Sequence, residues 1–197
     1  MGFKVQDHYF KKAKKEKYLA RSIYKLEEID EKYKVLKKGD QVIDLGYFPG
    51  SWIQYTQKVI GEEGLVVGCD IKPVNKKLMH LKNVKVFEKD VFDIQNLEEL
   101  EVSKKFDVIV SDMAPNTTGI RSVDQDRSLN LIEMVFYHAP QFLRPGGNLV
   151  IKVFDSNKAQ QYLKEQKNLF ESFHFLKPKS TRSVSKEFFV IGKNFKA

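Results

Sequence analysis

Four aspartates, Asp44, Asp70, Asp90 and Asp112, stand at or near the ends of short apolar runs, and Lys152 stands inside another. Carboxylates in that recurring position suit a ligand that offers hydroxyls and positive charge. An acid ending a second strand can accept hydrogen bonds from both hydroxyls of a ribose. The first acid opens the segment Asp44-Leu45-Gly46-Tyr47-Phe48-Pro49-Gly50-Ser51-Trp52, in which Gly46 and Gly50 permit a tight turn and close approach of a ligand to backbone. This segment lacks G-x-G-x-x-G, so a bound pyrophosphate is poorly supported. An acid-flanked loop better suits a ligand carrying an ammonium and a sulfonium, and S-adenosylmethionine is such a ligand. Asp44 or Asp112 would attract its cationic parts at short range. Any one of these acids is as readily a strand-end cap or turn former; their recurrence at four successive ends argues for a site.

Residues so far apart in the chain meet only if the elements carrying them align. Apolar runs rich in β-branched residues predict strands over Gln41–Leu45, Leu65–Ile71, Val84–Phe87, Phe106–Ser111, Asn148–Phe154 and Phe188–Ile191. Amphipathic stretches over Trp52–Ile60, Val74–Leu81, Asn96–Val102, Ser128–Phe142 and Lys158–Phe170 predict the helices between them. The charged segment His8–Tyr33 reads as helical, with Ile23, Leu26 and Ile29 at spacings of three. The expected fold class is α/β, with a mostly parallel sheet covered on both faces. The last strand follows His174–Pro178 without an obvious helix, so it is expected to run antiparallel at or near an edge. In such sheets ligands bind beyond the carboxyl ends of the strands, where the strand order reverses.

The chain has 197 residues, which suits a single domain over 1–197 with a helical, basic extension over 1–36. A formal net charge of +8 favours an anionic partner such as nucleic acid, although a lysine-rich surface can also serve solubility alone. The lone cysteine, Cys69, lies in an apolar run and reads as a buried thiol. No apolar run approaches the roughly 20 residues that span a bilayer, so no membrane partner is expected. The N-terminus lacks the apolar core of a secretory signal. Together these point to a monomer in the cytoplasm or an organelle matrix such as the mitochondrial one. No Cys/His cluster has zinc spacing, and no metal is expected.

Beyond these patterns, the chain resembles the FtsJ-type ribosomal RNA 2′-O-methyltransferases. The resemblance rests on an ordered set of stretches: Ala13–Tyr18, Ala20-Arg21-Ser22 with Tyr24-Lys25-Leu26, the Asp44–Trp52 loop, Cys69-Asp70, Ser111-Asp112-Met113-Ala114-Pro115-Asn116, Pro145-Gly146-Gly147 leading to Lys152-Val153-Phe154, and Lys177-Pro178 with Ser180, Arg182 and Ser185-Lys186-Glu187. Such a resemblance implies a Rossmann-like class I methyltransferase fold and S-adenosylmethionine as cofactor. It implies a catalytic Lys-Asp-Lys-Glu tetrad at Lys25, Asp112, Lys152 and Glu187. Cofactor contacts are implied at Gly50, Trp52, Asp70, Asp90 and Asp112. The implied partner is ribosomal RNA or the large ribosomal subunit. The Ser111–Asn116 stretch, with Thr118-Gly119 and Asp126-Arg127, looks like the branch acting on an A-loop uridine rather than the tRNA branch. One departure stands out: Tyr47-Phe48 replaces two alanines usual in the first loop, so these rings either point away from the pocket or cover the methionine end.

A ribose hydroxyl must lose its proton as it attacks a sulfonium methyl group, and a positioned base assists. Lysine serves as that base when burial or a neighbouring cation favours its neutral form. Lys152 on an apolar strand is the expected base, with Asp112 orienting it and Lys25 and Glu187 holding the ribose. Alone, Lys152 reads equally as a strand lysine reaching solvent. Lys14, Lys17, Arg21 and Lys25 are spaced by three or four and would form one stripe if a single helix carried them. The stripe, with Arg182 in a second basic patch, would follow RNA phosphates. Three other readings compete: a tRNA or mRNA-cap methyltransferase, a non-catalytic RNA-binding ribosome-assembly factor of the same fold, and a nicotinamide-dependent dehydrogenase, which the missing glycine fingerprint disfavours.

Overall fold

The structure, a computed structural model, describes residues 8–196. The first seven residues of the expected N-terminal extension, and residue 197, lie outside the described residues. Two helices, α1 (His8–Lys15) and α2 (Ile23–Tyr33), precede the sheet. Then follow β1 (Gln41–Leu45), α3 (Ser51–Ile60), β2 (Leu65–Asp70), β3 (Val84–Glu88), β4 (Phe106–Ser111), α4 (Arg121–Phe142), β5 (Leu143–Phe154), α5 (Asn157–Gln166), β6 (Phe170–Leu176) and β7 (Glu187–Phe195).

These strands form one seven-stranded sheet in the order β3-β2-β1-β4-β5-β7-β6. The first five are mutually parallel, and β7 pairs antiparallel with both β5 and β6. The expected antiparallel last strand is therefore present, one place in from the edge. Both faces are covered, as near-continuous apolar strands require. One core joins the sheet to α4 and α5 through Ile132, Val135, Phe142, Ala159 and Leu163. The other joins it to α2 and α3 through Leu26, Ile29, Trp52 and Ile53. Strand β1 pairs with β2 on one side and β4 on the other. The chain reverses its direction of travel across the sheet there, so the crevice beyond Leu45 and Ser111 is the expected ligand position.

Three elements depart from the sequence reading. The segment His8–Tyr33 is two helices, because Lys17 adopts φ 61° and ends α1. The Tyr18 N–H bonds to the Ala13 carbonyl, and the Lys17 N–H to the Lys14 carbonyl, which closes a Schellman motif with lysine in the usual glycine place. The expected helices over Val74–Leu81 and Asn96–Val102 shrink to single 3-10 turns at Lys76–Leu78 and Glu98–Leu100. Each is too short to form a stable α-helix, and Glu101 at φ 53° terminates the second. Strand β6 begins where the last helix was expected to end, because Glu171, Ser172 and His174 interrupt its apolar pattern. The long helix α4 extends through Pro140 to Phe142.

Helix α2 is fixed against the sheet by one buried carboxylate. Asp30 Oδ1 accepts from the Leu36 N–H at 2.9 Å, and Oδ2 accepts from the Tyr55 hydroxyl on α3 at 3.1 Å. The same residue's carbonyl takes the N–H of Lys34, which caps the helix in the left-handed region at φ 51°. Replacing Asp30 by alanine strands both donors, so Asp30→Ala should lower unfolding free energy by about 2–4 kcal/mol. Urea denaturation measures this; a loss below about 0.5 kcal/mol would show that the anchor is dispensable.

Candidate active site

Each acid at the carboxyl end of the sheet is held differently. Asp70 Oδ2 accepts from the Phe48 N–H at 3.0 Å and Oδ1 from the Lys72 N–H at 2.9 Å. Asp90 Oδ1 accepts from the Phe92 N–H at 3.0 Å and caps the 3-10 turn behind it. Together with Asp112, Gly46 and Met113 they line a cleft of about 660 Å³ that opens at the switch point. Its volume falls within the range of small-molecule and cofactor sites. Cys69 also reaches its wall, and burial pushes this thiol up to about 12.

Asp44 is different. It is wholly buried on β1, and neither carboxylate oxygen has a hydrogen-bond partner among the described residues. Burial, then the charges of Asp112 and Asp70, raise its pKa well above the ordinary aspartate value. Asp44 itself does not line the cleft, and a cation nearby would favour its ionised form.

The first loop resolves the Tyr47-Phe48 departure. Tyr47 turns into the core on the α3 side, and its hydroxyl accepts from the Asn75 N–H at 3.2 Å. Space for the ring comes from Gly68 on β2, where a Cβ would lie 2.9 Å from Tyr47. Phe48 instead faces the cleft, 38% exposed, with the Lys72 ammonium 4.9 Å from its ring centre. Gly50, at φ 111°, starts α3 in a conformation that side-chain-bearing residues rarely adopt. Neither Gly50 nor Trp52 lines the cleft. Trp52 is buried, packs on Phe189, and donates its Nε1 hydrogen to the Ser22 carbonyl at 2.9 Å. It therefore ties α3 to the start of α2.

Beside the cleft, four side chains from four elements converge. Asp112 follows β4, Lys152 lies in β5, Glu187 opens β7, and Lys25 descends from α2. Lys152 Nζ lies 3.1 Å from Asp112 Oδ1 and donates to the Asp112 carbonyl at 2.5 Å. Lys25 Nζ lies 2.5 Å from Glu187 Oε1 and 3.9 Å from the same Asp112 oxygen. Both lysines are 9% exposed. Two amines and two carboxylates thus form one continuous, nearly dry, formally neutral cluster. Strand register sets the spacing: Lys152 pairs with Phe189 and Phe154 with Glu187.

The stripe of Lys14, Lys17, Arg21 and Lys25 does not form on a single helix. Lys14 lies in the last turn of α1, Lys17 sits in the left-handed turn, and Lys25 is buried in the cluster. The turn brings Arg21 instead to the segment between β6 and β7, where its guanidinium donates to the Ser180 carbonyl. Burial, then the neighbouring Arg182 charge, lower the pKa of Arg21. The two basic regions read separately from the sequence therefore become one surface. Glu28, which drew no attention in the sequence, braces that segment: its carboxylate accepts from the N–H groups of Lys179 and Ser180 at 2.6 and 2.9 Å. No sequence pattern links residues 151 and 152 positions apart, as these are.

The strand order, the switch-point cleft and the helical layers define a Rossmann-like methyltransferase. The chain belongs to the FtsJ-like methyltransferase family, whose model matches residues 18–195. It is 45% identical over 196 residues to the ribosomal RNA large subunit methyltransferase E of Bdellovibrio bacteriovorus, covering 98% of each chain. To the protein of the same name from Syntrophobacter fumaroxidans it is 46% identical over 193 residues, covering 98% of this chain and 97% of that one. A crystal structure of a ribosomal RNA methyltransferase from Plasmodium falciparum superposes with a TM-score of 0.76 at 28% identity, covering 90% of this chain and 98% of that chain. Aeropyrum pernix fibrillarin, solved with natively bound S-adenosyl-L-methionine, shares the fold at a TM-score of 0.59 and 15% identity, over 80% of this chain and 68% of that one. No helix among the described residues is long and apolar enough to cross a membrane.

The state of Asp44 has a measurable consequence. Its folded pKa is raised, so the folded protein holds the proton more tightly than the unfolded chain. Stability is then lost as pH rises from the unfolded value of about 3.9 towards the folded one. Asp44→Asn removes that loss. The variant should melt a few degrees above wild type at pH 7, with the gain shrinking as pH falls towards 4. A constant offset across pH, or a lower Tm at pH 7, would contradict the burial of an uncompensated carboxyl.

Proposed function

We propose that this chain, acting as a single methyltransferase domain, moves a methyl group from S-adenosylmethionine to a ribose 2′-hydroxyl of large-subunit ribosomal RNA. The resemblance of the Ser111–Asn116 stretch points to an A-loop uridine. The observation carrying the proposal is the convergence of Lys25, Asp112, Lys152 and Glu187 beside a nucleoside-sized cleft. The names of the bacterial relatives support the RNA substrate.

The cleft residues fit the cofactor's chemistry. Asp70 is placed to accept from ribose hydroxyls and Asp90 to border the adenine end, while Asp112 and the unpartnered Asp44 supply negative charge for the ammonium and sulfonium. When bound, the cofactor supplies an electrophilic methyl group. The remaining work falls to the protein. Asp112 fixes the Lys152 amine through two contacts, and Lys152, in its neutral form, takes the hydroxyl proton as the oxygen attacks. The Lys25–Glu187 pair holds the ribose, the ammonium donating and the carboxylate accepting. Holding the hydroxyl in line with the methyl group accounts for most of the acceleration. Exclusion of water from this cluster strengthens each of these contacts. Tyr47 packs into the core while Phe48 lines the cleft, so of the two rings only Phe48 bears on cofactor binding.

The test is methyl transfer to large subunits lacking the modification, with the product nucleoside mapped by mass spectrometry. Lys152→Ala should lower kcat by about 10²–10⁴-fold while cofactor affinity stays within twofold. A variant with full kcat would end the base assignment, and a methyl group found on a base would end the ribose assignment. On the RNA side, replacing Lys17 and Arg21 together by alanine should weaken RNA binding and flatten its log–log salt dependence by about 1.5. An unaltered slope would place the phosphate contacts elsewhere.

A further inference from the structure

Two aromatic rings stand near helix α5 where β7 and the edge strand β6 close the sheet. Phe175 on β6 is 49% exposed, and Phe188 on β7 lies beside it with ring centres 5.9 Å apart and planes tilted by 53°. An isolated exposed ring needs no explanation. These two, however, form the apolar wall of a cavity of about 430 Å³ whose other walls include Lys164, Lys167, Gln160 and Asp155. Both lysines are exposed, and among the described residues neither enters a salt bridge. Asp155 is already engaged, its Oδ1 accepting from Gln160 Nε2 at 2.6 Å. The cavity therefore presents two tilted aromatic rings with two cations outside any salt bridge at its rim.

Its position matters as much as its chemistry. Phe188 directly follows Glu187 and pairs in register with Val153, the residue after Lys152. The Asp155 N–H bonds to the Lys186 carbonyl at 3.1 Å, so the cavity and the catalytic cluster share a strand end. Alternation along β7 puts Glu187 on one sheet face and Phe188 on the other. A second, polar cavity of about 280 Å³, lined by Arg121, Ser122, Asn157 and Lys158, continues from the Asp155–Gln160 wall. An extended chain leaving the cluster over this end of the sheet meets the aromatic pair next.

The geometry points to the Phe175–Phe188 shelf as a stacking platform for an unpaired base of the RNA substrate near the methylated nucleotide, with Lys164 and Lys167 on the adjoining phosphates. This rests on the RNA methyltransferase reading above and names a further surface for that substrate. Base stacking on an aromatic side chain tolerates any base and is flanked by cations in single-strand binding sites, as here. A peptide partner would use the apolar wall but has no need of two unpaired lysines beside it.

The test uses the full chain, a fluorescein-labelled single-stranded RNA 12-mer read by anisotropy, and undermethylated large subunits read by methyl transfer. Phe175→Ala should weaken 12-mer binding by about tenfold, in line with the loss of one stacked base. The effect on subunit methylation should fall on KM and not on kcat. Phe175→Trp should bind as wild type, and its emission should be quenched by RNA; the natural tryptophan, Trp52, is buried and 2% exposed. Lys164→Ala with Lys167→Ala should flatten the salt dependence. Wild-type RNA affinity and KM in Phe175→Ala, or Phe175→Trp emission indifferent to saturating RNA, would overturn the shelf. If the wild-type protein methylates some other position in the RNA, the functional reading fails by itself. The anisotropy comparison still decides the shelf.

Discussion

A single carboxylate oxygen, Asp112 Oδ1, stands within 4 Å of two lysine ammonium groups, at 3.1 Å from Lys152 and 3.9 Å from Lys25. Buried charge is expensive, and a pair survives only where geometry and extra hydrogen bonds repay desolvation. The carbonyl of Asp112 and the carboxylate of Glu187 provide those extra contacts. Removing either acid would leave an uncompensated buried cation, a loss of about 3–5 kcal/mol. The fold is arranged so that this does not happen. The parallel pairing of β4 with β5 and the antiparallel pairing of β5 with β7 bring Asp112, Lys152 and Glu187 to one end of the sheet. Lys25 alone comes from a helix, and α2 is firmly tied: Asp30 to α3 and the following turn, Ser22 to Trp52, and Glu28 to the segment before β7.

Asp44 follows the opposite logic. Asp70 and Asp90 accept backbone N–H groups and Asp112 meets two ammonium groups, while neither oxygen of Asp44 has a partner among the described residues. Its burial lowers the stability of the free protein, and a hydrophobic residue of similar size would pack there without penalty. Unpaired buried acids of this kind cluster at functional sites.

The sheet was legible in the sequence because β1 to β5 are runs of Val, Ile and Leu bounded by glycine, aspartate or charged turns, and buried parallel strands have that signature. The four acids were legible for the same reason, since each marks where such a run stops. Strand β6 was not, because an edge strand needs only one well-covered face and here mixes Phe with Glu, Ser and His. The break between α1 and α2 was hidden as well. A lysine in the left-handed region carries no glycine signal, and the basic spacing through it mimicked a continuous helix. Tertiary contacts across some 150 residues, such as Glu28 to Ser180 and Arg21 to Ser180, leave no local trace at all. The role of Tyr47 shows the limit in another form: its direction is decided by Gly68, a residue on the next strand.

The break at Lys17 is what gives the charged surface its shape. Had one helix run from His8 to Tyr33, its lysines would have faced outward along a single ridge, remote from the segment before β7. The turn instead lays Arg21 against Ser180 and beside Arg182, while α2 restarts with Lys25 pointing into the cluster. Cationic residues on that turn and on the β6–β7 segment thus flank the same buried quartet from two sides. Burial, then the charge of Arg182, lower the pKa of Arg21, while Glu187 raises it. A chain with eight excess positive charges suits a polyanion as partner. The surface thus carries an excess of positive charge, while the buried quartet beside it is balanced.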